Sequence, residues 1–410
     1  MLQQIRPASH LAAATLVALL LAGCGGGGGT TAAPTPSPVA KSIVLGKPAT
    51  SEVLAGGASV SLTATPDVAS TVNWTLDSGP GSLSAGSGAT IGYLPPASGV
   101  TAPVNVVITA KAGNASQSIQ LTLYPDPGTA GVALLAGDVN TDYDRWNPWV
   151  ITEKDGQGAS AVFGRPTLMA ADSAGNLYVI DYATLAVDTH MAGPSELVLR
   201  KVSPGGGVTT LARDTTEMAT PNSVVVDKAG NIYVASRPLV NSRVSTSNVG
   251  GDIRKVAPDG KVTVFAGSIN STAPGRDGTG TAASFTGPTL AGIDGDGNLY
   301  VKDVDDSAAG KVALRKITPQ AVVSTITALP AGLDQAPDGN TYGVDSDQAT
   351  VFRTAADGTK TVLAGVAGKQ GTVLGALPGG LLHPRAVVRT GPASLAVLSG
   401  SGIVKVVLPH

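Results

Sequence analysis

Four copies of one short phrase constrain this chain more than any other feature: Gly-Asn176-Leu-Tyr-Val, Gly-Asn231-Ile-Tyr-Val, Gly-Asn298-Leu-Tyr-Val and Gly-Asn340-Thr-Tyr-Gly-Val. Each couples a turn to a strand. The Gly-Asn pair tolerates left-handed backbone, and the β-branched and aromatic residues behind it suit a pleated surface. A phrase that recurs at intervals of several tens of residues signals a repeat architecture, in which each unit buries its apolar faces against its neighbours.

More than the turn repeats. Ahead of each turn the spacing predicts an inner strand, at residues 167–172, 222–227, 289–294 and 331–337. Behind it follow Leu199-Arg-Lys-Val-Ser-Pro204, Ile253-Arg-Lys-Val-Ala-Pro258, Leu314-Arg-Lys-Ile-Thr-Pro319 and the weaker Val351-Phe-Arg-Thr. A further strand starts at Val208, Val262, Val322 and Thr361. Each unit is therefore four short strands, a to d, joined by tight turns, the layout of a propeller blade. A fifth, degenerate unit over 385–408 stops after three strands. Its missing fourth is matched far upstream by Val132-Ala-Leu-Leu-Ala-Gly137, a Val-x-x-Leu-Ala-Gly pattern like that of the other fourth strands. Such a strand would close the ring and remove an open sheet edge.

Leu-Arg-Lys-Ile-Thr-Pro, Gly-Asn-Leu-Tyr-Val and Asp-Gly-x-Gly-x-x-Ala-x-Phe-x-x-Pro, the last found at Asp155 and again at Asp277, together resemble the NHL repeat family over residues 131–410. The resemblance implies an all-β chain with a five-bladed NHL-type β-propeller. Many relatives have six blades, so six is the alternative count. Relatives serve as binding platforms, extracellular sensor parts or lyases, so function has to come from the site.

The N-terminus reads as a targeting segment. Arg6 and His10 precede an apolar run over 11–22 that is too short to span a bilayer, and it ends Leu21-Ala-Gly-Cys24. This resembles a bacterial lipobox, which implies cleavage after residue 23 and lipid attached to Cys24. Cys24 is the only cysteine, so no intramolecular disulfide can form. Gly25 in the next position favours the outer membrane by the family rule. The domain plan is then a signal peptide (1–23), a Gly/Pro-rich linker (24–40), a first folded domain (41–125) and the propeller (131–410). The first domain shows period-two alternation at Ser59-Val-Ser-Leu-Thr-Ala64 and Val72-Asn-Trp-Thr-Leu76, with Trp74 facing inward. It resembles a bacterial Ig-like β-sandwich.

Antiparallel order puts the a–b and c–d turns on one face and the b–c and d–a connections on the other. Every long insertion falls in the second group, so that face is the candidate binding face. It carries Tyr143, Arg145, Trp146 and Trp149, with Tyr182, His190, Arg237, Arg243 and Arg276 around them. Aromatic and guanidinium groups are the usual anchors for a partner or a sugar ring. With 14% charged residues and a net charge of −2, the chain lacks the basic field a nucleic acid requires. No metal site, catalytic residue or cofactor is assigned. Asp303, Asp305 and Asp306 read as a solvated acidic loop, and Asp294-Gly-Asp296-Gly-Asn298 as a turn rather than a calcium loop. The reading is a binding or scaffold protein held in the bacterial cell envelope by its lipid, its partner an envelope protein, a peptide or a glycan. Two alternatives stand: a propeller enzyme of the lyase or lactonase class, with His190 and His383 as acid and base, and an adhesin or sensor acting through the Ig-like domain.

Overall fold

In a computed structural model, residues 39–142, 153–188, 191–214, 220–237, 250–269, 271, 275–305, 311–333 and 335–410 are described. Strands dominate, and no α-helix occurs among these residues. Residues 39–125 form two four-stranded sheets. One takes β1 (Ile43–Leu45), β3 (Val60–Pro66), β6 (Thr90–Leu94) and β5 (Ser82–Leu83); the other takes β2 (Glu52–Leu54), β8 (Ala115–Tyr124), β7 (Val104–Ala112) and β4 (Asn73–Ser78). Alternation along β3 and β7 sends Leu62, Val106, Ile108 and Ala110 into one shared core with Trp74 and Tyr93. Trp74 donates its indole N–H to Gly88 O, so its polar end is satisfied despite burial.

Residues 131–410 form five antiparallel sheets, built on meanders of consecutive strands. Unit 1 holds β11 (Leu168–Ala171), β12 (Leu177–Asp188), β13 (Met191–Val202) and β14 (Gly207–Asp214), and β10 (Gly156–Gln157) lies along the outside of β14. Unit 2 holds β15 (Thr220–Val226), β16 (Ile232–Arg237), β17 (Asp252–Val256) and β18 (Val262–Gly267). Unit 3 holds β20 (Pro288–Ile293), β21 (Leu299–Asp305), β22 (Lys311–Ile317) and β23 (Val322–Ile326), with β19 (Gly278–Thr279) outside β23. Unit 4 holds β24 (Thr341–Asp345), β25 (Thr350–Thr354) and β26 (Lys360–Ala364). Unit 5 holds β27 (Ala386–Gly391), β28 (Ser394–Ser399) and β29 (Ser401–Val407), completed by β9 (Gly131–Asp138).

The inner elements follow one another round a ring: β27 touches β11, β11 touches β15, β15 touches β20, and β24 touches β27. Gly292 of β20 abuts Leu333 of the fourth unit. The second strand of unit 1 is buried on both sides. Leu177 and Val179 of β12 enter a core shared with Ala136, Leu398 and Ile403 of unit 5. Tyr178 and Ile180, pointing the other way, enter one shared with Ile232 and Val234 of unit 2. This two-sided burial explains the near-continuous apolar Leu-Tyr-Val-Ile run. The arrangement is propeller-like. β9 pairs antiparallel with β29, Val132 opposite Val406 and Ala136 opposite Ile403, so the upstream strand does complete the last sheet.

Among the described residues one expected strand is absent. Residues 331–333 form a turn instead of an inner strand. Leu333 N–H reaches Pro330 O and Gln335 N–H reaches Gly332 O, so the segment bonds to itself. Pro330 and Pro337 lack the N–H that a ladder needs, and Gly332 at φ +73° takes a left-handed turn.

The repeated phrase has a specific cause. Asp172 accepts four hydrogen bonds, from the N–H groups of Ala174 and Asn176, the Asn176 amide and the Tyr178 hydroxyl. Asp227 and Asp294 accept the same set from their own turns. The Asp294 segment is thus a hydrogen-bonded turn. Burial pushes the Asp294 carboxyl up, but the bonds from Asn298, Tyr300 and Asp296 outweigh it and hold it below the usual range. In unit 4, Ala336 replaces that aspartate, and Asp338 takes the Tyr342 hydroxyl instead.

Candidate functional site

The two faces of the ring differ in what covers them. On the short-turn face the sandwich docks against units 1 and 5. Arg389, near the end of β27, makes a two-pronged ion pair with Glu52 of β2, at 2.6 Å for Nη2–Oε2 and 2.9 Å for Nη1–Oε1. Both side chains are over nine-tenths buried. Lys405 Nζ donates to Pro127 O at 3.1 Å. Between the two parts lies a recess of about 90 Å³ walled by Leu54, Tyr124, Pro127, Leu177, Leu395 and Lys405. Burial, reinforced by the Glu52 charge, pushes the Tyr124 hydroxyl up to about 12.

The opposite face carries the long connections. Of the nine residues expected there, Tyr143, Arg145, Trp146, Trp149, His190 and Arg243 lie outside the described residues, as does Cys24. Arg237 closes β16. Tyr182 is partly buried, and the exposed Arg165 guanidinium stacks on its ring at 5.2 Å. Arg276 is exposed, but its guanidinium donates to Ala282 O and its N–H to Ser284 Oγ, so it also braces its own loop.

The ends of the aromatic segment are firmly held. Asp142, just before it, pairs with Arg385, which precedes the inner strand β27 and also donates to Gly400 O. Glu153, just after it, pairs with Arg213 of the outer strand β14. Asp138 caps the approach by accepting from the N–H of Asn140 and the Thr141 hydroxyl. Gly400 has φ +59°, and a Cβ there would lie 2.7 Å from Thr141 O, so only glycine lets this connection pass. His383 lies on the long-connection face with φ +40°, its N–H donating to Gln370 Oε1.

Three features were not anticipated. Asp303 is 3% exposed and accepts from the N–H groups of Thr286 and Gly287, so it is no solvated loop residue; it fastens the incoming connection. Asp181 does the same for Gly164 N–H, and lies 3.3 Å from the buried Arg200. Burial pushes its carboxyl up to about 6, against the pull of the Gly164 N–H and Arg200. The Asp-Gly-x-Gly segments are straps. Asp155 accepts from the N–H and hydroxyl of Thr210 while meeting Arg200 at 3.0 Å, and Phe163 lies under that guanidinium. Asp277, Thr325, Arg315 and Phe285 repeat the arrangement in unit 3. Among the described residues no group of three or more His, Cys, Asp or Glu is placed to hold a metal. The one titratable side chain on the four inner strands β11, β15, β20 and β27 is Arg389.

No family model matches this sequence, and no curated protein does. Solved structures with a distant likeness exist. A protein of unknown function from Bacteroides thetaiotaomicron is 13% identical, over 90% of this chain and 98% of its own, with a TM-score of 0.32. An auxiliary nutrient binding protein from Bacteroides ovatus is 14% identical, over 92% and 100%, at 0.25. A gluconolactonase from Xanthomonas campestris is 14% identical, over 69% and 99%, at 0.28. Scores this low assign no activity, and the fold rests on the strand order above.

Proposed function

We propose that this chain is a lipid-anchored envelope protein: a five-bladed NHL-type propeller, carrying an Ig-like sandwich on its short-turn face, that binds a protein, peptide or glycan with its long-connection face. One observation carries the reading. The described residues on either side of the aromatic segment are each tied to the ring, Asp142 by Arg385 and Glu153 by Arg213. The docked sandwich supports it, because units 1 and 5 have their opposite face taken up. Aromatic rings beside guanidinium groups give large contact area with little conformational entropy to lose.

A partner is recovered by pull-down from envelope extracts and then titrated. Trp146→Ala is expected to weaken it by ~2 kcal/mol or more, roughly thirtyfold, as for a buried aromatic anchor. Lys228→Ala on the short-turn face should leave it unchanged. Equal binding by both variants removes the assignment of the face. Anchoring has its own test. Cys24→Ser should move the protein out of the membrane fraction or stall its processing, because the acyl chains supply the anchoring energy. A variant that still partitions fully into detergent contradicts it.

A further inference from the structure

Unit 5 lacks a residue that the other four units share. In those units a tyrosine of the second strand pairs with a cation of the third: Tyr178 with Lys201, Tyr233 with Lys255, Tyr300 with Lys316 and Tyr342 with Arg353. At the same register point of unit 5, Ala396 pairs with Lys405. The turn ahead of it is changed in step. Aligned on that point, Thr390 and Ser394 stand where unit 1 has Asp172 and Asn176. In unit 1 the Asp172 carboxylate accepts from the Asn176 amide and the Tyr178 hydroxyl. In unit 5 the Thr390 and Ser394 hydroxyls bond to each other at 3.0 Å, and no strand of the unit carries an aromatic residue that could join them.

Elsewhere the ring of that tyrosine is packed and capped. Tyr178 and Tyr233 are buried, with Lys201 Nζ and Lys255 Nζ 5.8 and 5.7 Å from their ring centres. Phe265 meets Tyr233 edge-on at 5.0 Å. In unit 5 the bulge position of Phe265 is taken by the smaller Leu135. The space left behind is the recess of about 90 Å³ beneath the sandwich, walled by Thr390, Ser394, Ala396, Lys405 and Leu135. A single water needs only ~10–15 Å³, so several waters or one small molecule would fit. Tyr124 of the sandwich does not stand in for the missing ring, because its hydroxyl is engaged by Glu52. Lys405 is half-buried and donates to Pro127 O, and among the described residues no carboxylate lies within ion-pair distance of it. Burial lowers its pKa, and the Asp126 charge only partly opposes this.

We propose that this recess is a binding site for a small single-ring phenol, seated where the other units hold their tyrosine, with its ring beside the Lys405 ammonium and its hydroxyl at Thr390 and Ser394. Units 1 and 2 supply the template, since the same fold already places a phenol between a lysine and a polar turn. A half-buried ammonium without a counter-charge is attracted to the face of an electron-rich ring. A buried phenol needs a hydrogen-bond partner for its hydroxyl, and two neighbouring hydroxyls can each donate or accept. A saturated ring offers the ammonium no such face, and a hydrocarbon leaves the two hydroxyls with each other alone. The site is separate from the long-connection face and does not depend on what binds there.

The probe is p-cresol, the tyrosine side chain cut at its Cβ, titrated into the full chain and followed by calorimetry. Saturable binding is expected. Ala396→Tyr should abolish it, because the restored side chain fills the recess. Ala396→Leu occupies part of the same space and serves the same test should the tyrosine variant not fold. Lys405→Met should weaken binding about threefold, the size of a lost cation–ring contact. Thr390→Val/Ser394→Ala should weaken it about tenfold while leaving toluene binding unchanged. Lys201→Met, beside a tyrosine already in place, should change nothing. No saturable binding, undiminished binding by the folded Ala396 variants, or toluene bound as tightly as p-cresol overturns the proposal. So does a Gly-Tyr-Gly peptide that binds more tightly than p-cresol, because the occupant is then a side chain of another polypeptide.

Discussion

Ala136→Asp is expected to lower stability by more than ~4 kcal/mol, the range reached when an unpaired charge enters a packed core. Ala136 is fully buried in β9, opposite Ile403, in a cluster with Phe163, Leu177, Val179 and Leu398. That cluster joins the first unit to the last, so the substitution strikes the seam of the ring. An isolated sheet edge tolerates a carboxylate; a closing strand between two packed sheets does not. For a domain of this size the melting temperature should fall by roughly 10 °C. The control lies three residues away on the same strand. Ala133 is exposed and faces Lys405, so Ala133→Asp should change stability by less than ~0.5 kcal/mol. If the two variants melt alike, β9 is not part of the packed ring.

That strand was legible because its signal is local: a short Val-x-x-Leu-Ala-Gly pattern that the outer strands at 208–213, 262–267 and 360–365 each match in part. The turns were legible for the same reason, since Gly, Asn and Asp act within a few residues of themselves. What stayed hidden were interactions between positions distant in sequence. The Asp-Gly-x-Gly phrase was visible as a repeat, but its purpose depends on Asp155 meeting Thr210 and Asp277 meeting Thr325 across an edge. Asp303 looked like an open acidic loop because its neighbours in sequence are acidic; its partners Thr286 and Gly287 come from another strand's approach. The fourth inner strand was overread. Position in the repeat argued for it, while Pro330, Gly332 and Pro337 argued for a turn, and local backbone chemistry prevailed. Of the site, the aromatic segment lies outside the described residues, and the Asp142–Arg385 pair just before it joins positions too distant in sequence to be read from it.

The junction between sandwich and ring gives the second large effect. Arg389→Met should cost ~3–5 kcal/mol, because it leaves the Glu52 carboxylate over nine-tenths buried without its guanidinium. Asp338, 3.6 Å from Arg389 Nε, loses the same cation but is better exposed and keeps the Tyr342 hydroxyl, so its share is small. Taking two charges from water is itself expensive, and a buried pair offsets that penalty without necessarily exceeding it. The double variant Glu52→Met/Arg389→Met should therefore recover most of the loss, two apolar chains meeting where two charges were. Calorimetry separates this from a general loss of stability. The wild-type chain should melt with sandwich and ring coupled, and the single variant should split into two transitions, since each part has its own core. The recovery expected in the double variant follows from the pair being a device of docking specificity more than of net stability. If the single substitution costs less than ~1 kcal/mol, the pair behaves as a surface contact and does not fix the sandwich on that face.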